Sequence, residues 1–259
     1  MKKRNFFLVF LTLVFSLALV ACGNQVNKKD VIDNVVKQTD DIKSLDATFS
    51  LMMDIEVDSY KDSAGIDLDL SYIQTPLAMK MNAEMTLPGS SKQEVHAYIK
   101  EDTIYLQSPQ NKMWFKMKSK EQLDRLKDQS NAVMNKDILK LLQEHADSVN
   151  LEEKDGKYIL TLKNKDQELN EIFKKQMKST ASASSLNSME MKGIVLTYTF
   201  DKKTLDPESF EMTGKATAEK DSVKGNIKMT MNGTYKNINQ VKSIELPKEA
   251  QNAEEISAP

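Results

Sequence analysis

The stretch "DATFSLMMDIEVD", residues 46–58, decides the fold. Ala47, Phe49, Leu51, Met53, Ile55 and Val57 occupy every second position, and mostly polar residues fill the places between. Successive side chains of a strand point to opposite faces, so this is a long strand with one apolar face. Working outward, the same period returns in Ile66, Leu68, Leu70 and Tyr72. It returns again in Leu77, Met79, Met81, Ala83, Met85 and Leu87, which end at Pro88 and Gly89. Val95, Ala97 and Ile99 follow, then Ile104 and Leu106. Consecutive strands joined by short polar turns form an antiparallel meander, half-buried on one face.

On either side of this meander the period changes. Val31, Ile32, Val35, Val36 and Ile42 sit near helical spacing with Asp30 as N-cap, predicting a helix over 29–43. Beyond the meander, Ser119 and Gln122 have capping-box spacing ahead of Leu123 and Leu126. Ile138, Leu139, Leu141, Leu142, Ala146 and Val149 make a second stripe. Asp155-Gly156 is a turn into a short strand, Tyr158, Leu160 and Leu162, and Leu169, Ile172, Phe173 and Met177 form another helix. Residues 179–188, "STASASSLNS", read as a loop of low complexity. A second meander then runs through Ile194 to Phe200, Phe210 to Ala218 and Ile227 to Tyr235. The chain leaves the sheet at Pro247 and ends in a frayed tail.

Strands in runs, with helices inserted between the runs, indicate an α+β fold. Neither meander has enough helix to cover its own apolar face. One antiparallel sheet, with a few helices on its apolar side, is therefore expected over residues 30–246, and residues 247–259 form the tail.

The first residues belong to a different problem. Lys2, Lys3 and Arg4 precede an almost unbroken apolar run over residues 6–20, interrupted by Thr12 and Ser16. This is the pattern of an export signal over residues 1–21, too short for a comfortable bilayer span of about 20 residues. Cys22 is the single cysteine, so no internal disulfide forms. Leu19-Val20-Ala21-Cys22 resembles the bacterial lipobox. That resemblance implies a diacylglyceryl group on the Cys22 sulfur, cleavage before Cys22, and a polar tether over residues 22–29. The expected place is the extracytoplasmic face of the cell membrane of a Gram-positive cell, with the membrane as partner through the Cys22 anchor.

Three further segments carry a resemblance to the half-barrel lipoproteins of the LolA and LppX-like group. In "KEDTIYLQSPQNKMWFKM" the pattern is Asp102, Tyr105, Trp114 and Lys116; "YTFDKKTLDPESFEM" and "IELPKEAQNAEEI" supply the other two. The resemblance implies a strongly curved antiparallel sheet with helices packed on its concave face, and a lipid or other apolar ligand between them.

Chemistry is sparse. His96 and His145 lack nearby metal-spaced partners, and no G-x-S-x-G elbow or phosphate-cradling glycine loop is present. The expectation is a protein that is not an enzyme and carries no cofactor or metal. The formal charge of -2 moves near -5 once Lys2, Lys3 and Arg4 are removed, which argues against nucleic acid. The fifteen methionines are the remaining feature. Met53, Met79, Met81, Met85, Met212, Met229 and Met231 share the apolar phase of their strands, either as packed core or as the lining of an adaptable cavity. Two functions follow. One is a membrane-tethered module that binds lipid or another apolar ligand. The other is a non-enzymatic interaction protein with a filled core, touching envelope proteins or wall polymer. The ligand, the protein partner and the oligomeric state have no signature in the sequence.

Overall fold

The computed structural model describes residues 27–121, 123–124, 136–163, 165–177, 189–220 and 223–257. Among them, twelve strands form one sheet, ordered β12-β6-β5-β4-β3-β2-β1-β11-β10-β9-β8-β7. The strands are β1 (Ser44–Val57), β2 (Tyr60–Ile73), β3 (Ala78–Thr86), β4 (Gln93–Lys100), β5 (Thr103–Gln107), β6 (Trp114–Met117), β7 (Asn150–Lys154), β8 (Lys157–Lys163), β9 (Met189–Asp201), β10 (Pro207–Lys220), β11 (Val223–Lys236) and β12 (Glu254–Glu255). All neighbours pair antiparallel except β12, which runs parallel to β6. The two meanders are joined by β1 and β11, in register from Asp46↔Lys236 to Val57↔Gly225. One sheet, as expected, results.

The helices described over their full length are α1 (Lys28–Asp40), α2 (Lys136–Glu144), α3 (Asp166–Met177) and the short α4 (Lys248–Gln251), and residues 120–121 and 123–124 are also helical. Asn27, not the expected Asp30, caps α1 by accepting a hydrogen bond from the Lys29 N–H at 3.1 Å, and the helix ends at Asp40, short of residue 43. Gln143 on α2 donates to Asp33 (2.7 Å), while Lys136 pairs with Asp40 (2.8 Å), so α1 and α2 lie antiparallel. Val31, Ile32 and Val35 from α1, Ile138, Leu139, Leu141 and Leu142 from α2 and Leu169 from α3 share one core with the alternating residues of the sheet. The helices α1 to α3 thus lie on one face. No described helix is long and apolar enough to cross a membrane.

A bulge in β9 fastens α3. The register slips between Thr213 and Lys215, and Gly193 opposite them takes φ +62°, a conformation glycine adopts without steric cost. The freed N–H groups of Gly193 and Ile194 donate to the two carboxylate oxygens of Asp166, both at 2.9 Å. Asn170 exchanges two hydrogen bonds with the Met191 backbone, at 2.8 and 3.0 Å. The bulge also turns both Met191 and Ile194 inward, each 1% exposed.

Three further local expectations change. Val149 continues no helix: α2 ends at Glu144, a 3-10 turn follows at Ala146–Ser148, and β7 forms an edge strand not anticipated from its charged sequence. The segment 114–117 is a sixth strand of the first meander. The C-terminal segment does not fray at Pro247. It crosses the polar face of the sheet, where Ile244 packs on Ala78 and Tyr98, with Trp114 and Tyr105 beside them. Ala250 is fully buried, and the Ile256 N–H donates to the Lys116 carbonyl at 3.0 Å. Tyr105 and Trp114 therefore build the seat for this strap.

Candidate functional site

The apolar face of the sheet is covered unevenly. On β8 to β10, Leu160, Leu162, Leu196 and Phe200 are 0% exposed, and Tyr198 and Met212 are 1% exposed. On β1 to β4 the end near α1 and α2 is closed, with Leu45, Ala47, Leu70, Tyr72, Met79 and Ile99 buried, and beyond it the small Ala64 and Ala97 are buried too. Farther along the same strands, in the same phase, burial fails. Phe49, Leu51, Met53, Leu68, Met81, Ala83, Met85 and Val95 are only half-buried, and Ile66 is 40% exposed. The register places them side by side: Leu51 opposite Ile66, Ile66 opposite Met85, Phe49 opposite Leu68, Leu68 opposite Ala83, and Ala83 opposite Val95. They form a continuous apolar field about 14 Å wide across β1 to β4, from a strand spacing of about 4.8 Å.

A polar lip closes the far end. Asp62 lies opposite Ile55 and Tyr60 opposite Val57, in phase with the apolar field. The Tyr60 hydroxyl donates to Asp62 Oδ2 at 2.6 Å, and the Ser63 N–H donates to Oδ1 at 2.8 Å. These donors, with the Gly89 N–H, hold the Asp62 carboxyl below the usual carboxylate range, the Tyr60 hydroxyl contributing most. The β1–β2 tip is thereby tied to the β3–β4 turn.

All seven methionines singled out from sequence lie on the helix-bearing face. Met79, Met212 and Met229 are buried, whereas Met53, Met81, Met85 and Met231 are half-buried. The register joins Met53 to Met229 and Met212 to Met231. Met53, Met81 and Met231 pack against the core, and of the set Met85 alone belongs to the open field without such packing. Leu68, Ala83, Val95 and Ile66 complete that field, and their alternation was the signal that could have found them. Cys22 and the 179–188 segment lie outside the described residues.

The histidines stand apart from the field. His96 Nδ1 lies 2.8 Å from Asn82 Oδ1 on the polar face, and His145 Nε2 lies 3.6 Å from Glu168 at the α2–α3 junction. Among the described residues no group of three or more His, Cys, Asp or Glu side chains could hold a metal ion. The polar face itself is hollowed. An open groove of about 480 Å³ is lined by Thr48, Ser50, Asp67, Asp69, Asn82 and His96 among others. A second hollow of about 870 Å³ lies over β9 to β11, β1 and β2.

A family model described as "Family of unknown function (DUF6612)" matches residues 27–255. No curated protein matches the chain in sequence. Among solved structures, LprF from Mycobacterium bovis is 12% identical, with a TM-score of 0.45 over 85% of this chain and 96% of that one. The Mycobacterium tuberculosis lipoprotein LppX is 14% identical, with a TM-score of 0.41 over 84% and 98%. A LolA superfamily protein from Nitrosomonas europaea is 10% identical, with a TM-score of 0.23 over 84% and 96%. These superpositions are loose, and the sheet described above rests on this chain's own register.

Proposed function

The chain belongs to the DUF6612 family, a family of unknown function, and we propose that it is a membrane-anchored lipoprotein that holds a lipid or other apolar ligand. The ligand lies on the open apolar field of β1 to β4, with the sheet wrapping it as a half-barrel. The carrying observation is that Ile66, Leu68, Ala83, Met85 and Val95 stay partly exposed in the same phase that is sealed on β8 to β10. Leaving apolar surface in water forgoes about 25 cal/mol per Å². An acyl chain laid there recovers it at about 0.8 kcal/mol per methylene. Met85 within the field, with Met53 and Met81 where it meets the core, adapts to chains of different shape because thioether side chains are flexible. Cys22 carries the diacylglyceryl anchor that keeps this field at the extracytoplasmic side of the membrane, since two acyl chains hold where one only visits. This chain performs no covalent chemistry on its ligand.

A second reading draws on the groove of about 480 Å³ on the polar face: contact with wall polymer or an envelope protein through that side. Native mass spectrometry of the chain purified from cells separates the two. Lipid retained at one per chain, and displaced by a fluorescent fatty-acid analogue, supports carriage. A clean apo mass with no uptake of the analogue ends that reading.

A further inference from the structure

The open apolar field ends on a single fixed charge. In the apolar phase of β1 to β4, Asp62 is the one residue charged at neutral pH. Every other Asp and Glu of these strands, with His96, Lys61, Lys80 and Lys100, stands in the polar phase. Asp62 lies at the outer end of the field, opposite Ile55, with Tyr60 beyond it opposite Val57. Gln93, opposite Met85, adds a neutral amide to the same rim. The lysines nearest that rim are held by acids of the polar phase: Lys61 by Glu56 at 3.1 Å, and Lys92 by Glu84. Asp62 also borders the hollow of about 870 Å³, between Lys61 and Ser63, as the apolar-phase Ile55 and Ile227 do. Its carboxyl, however, is bonded to Tyr60 of its own phase.

That carboxyl is ionised and has an acceptor position to spare. The Tyr60 hydroxyl donates to Oδ2 at 2.6 Å, the Ser63 N–H donates to Oδ1 at 2.8 Å, and the Gly89 N–H is a further donor. These bonds, the Tyr60 hydroxyl foremost, hold the carboxyl below the usual carboxylate range. A carboxylate offers about four lone-pair sites, so these donors leave one. None of them carries a charge that would cancel its own. Asp62 is half-buried, at the boundary between the field and water.

We infer, on the apolar-ligand reading above, that Asp62 selects the ligand by its polar end. The field takes an amphiphile whose head donates hydrogen bonds and bears no negative charge, a hydroxyl or an ammonium group, laid with that head at Asp62. From Leu68 to Asp62 the field runs about 20 Å along β2, a path for the chain that ends at the carboxyl. A hydroxyl or ammonium head donates to the remaining acceptor position. A carboxylate or phosphate head brought there meets a like charge, and no lysine of β1 to β4 shares its face to offset it. At about 4 Å such a pair weakens binding about fivefold even in water, and more where water is partly excluded.

The test uses the chain from residue 22 onward with Cys22→Ser, which keeps every described residue and removes the acyl anchor. Three fluorescent analogues share one long acyl chain and end in a carboxylate, a hydroxyl or an ammonium group. Their affinities are measured by titration at neutral pH. The ammonium and hydroxyl analogues should bind more tightly than the carboxylate analogue by about fivefold. Asp62→Asn keeps the shape of the side chain and removes its charge. It should tighten the carboxylate analogue and weaken the ammonium analogue, closing the gap between them. Asp54→Asn makes the same change of charge in the polar phase of β1, opposite Ser63, and should leave the order unchanged. The order in the unsubstituted chain needs no variant to read: a carboxylate analogue bound as tightly as the others overturns the assignment. An unaltered gap in Asp62→Asn overturns it too, and so does loss of the gap in Asp54→Asn, which traces it to the overall charge. Equal uptake of all three analogues ends selection by Asp62 and leaves apolar carriage standing, whereas uptake of none ends carriage itself.

Discussion

Strands β8 to β10 and strands β1 to β4 carry the same alternation onto the same face of one sheet, yet the two regions end in opposite states. On β8 to β10, Leu160, Leu196 and Phe200 are fully buried, and α3 is fastened to β9 by side-chain hydrogen bonds. On β1 to β4, Leu68, Ala83 and Met85 are only half-buried. The difference teaches that period-2 patterning selects a face but not its cover. Cover depends on where a helix is fastened. Here Asp166 and Asn170 fasten α3 to the β9 bulge, and the corresponding length of β1 to β4 has no such clamp among the described residues.

The comparison breaks most sharply in the closed region. Leu196→Ala should cost about 2–5 kcal/mol, the usual range for a fully buried leucine, read from urea unfolding. An effect near zero would mean that α3 does not seal β9. Gly233→Ala comes next. A Cβ there would meet Phe210 Cε1 at 2.1 Å. The Phe210 ring cannot swing clear, being stacked on Tyr198 at 5.5 Å and near Phe49 and Tyr235. The expected loss is about 1–3 kcal/mol from overpacking. Leu68→Ala in the open field should cost about 1 kcal/mol or less, because part of that side chain already meets water. It should nevertheless weaken binding of the fatty-acid analogue several-fold. A loss as large as that of Leu196→Ala would show the field to be ordinary core.

The smallest effect belongs to the lip. Hydrogen bonding holds the Asp62 pKa below its ordinary value in the folded chain. Its stabilising contribution is therefore complete above the unfolded pKa and is lost as pH falls through the folded pKa. Thermal midpoints of the unsubstituted chain and Tyr60→Phe should differ at neutral pH and converge in acid. A constant gap across that range would remove the Tyr60–Asp62 bond as its cause.

Much of the architecture was legible because strand alternation is local. The strand cores of both meanders, helix α1 and the shared face of the seven methionines follow from spacing along the chain. Strand β7 was not legible, since Asn150–Lys154 is an edge strand with one half-buried leucine and charged neighbours. Charged edges protect against unwanted pairing and erase the alternation that would reveal them. The strap was missed for another reason. Its apolar residues Val241, Ile244 and Leu246 are spaced to fit Tyr98 and Trp114, not a regular element. An alignment of lysines across the sheet was equally hidden. Lys192, Lys215 and Lys228 sit on three strands, and only the pairing register and the β9 bulge bring them into line.

By itself the sequence determined which side of each long strand is apolar, because stereochemistry sends alternate side chains to opposite faces. It also determined where the helical period replaces the strand period. Only the tertiary structure decided that β1 and β11 join two meanders into one sheet. It alone decided that the apolar face is sealed on β8 to β10 while part of it on β1 to β4 stays open, and that lysines distant in sequence share one row. Those outcomes depend on register and docking between segments far apart in the chain, and no local pattern of residues encodes the distance between them.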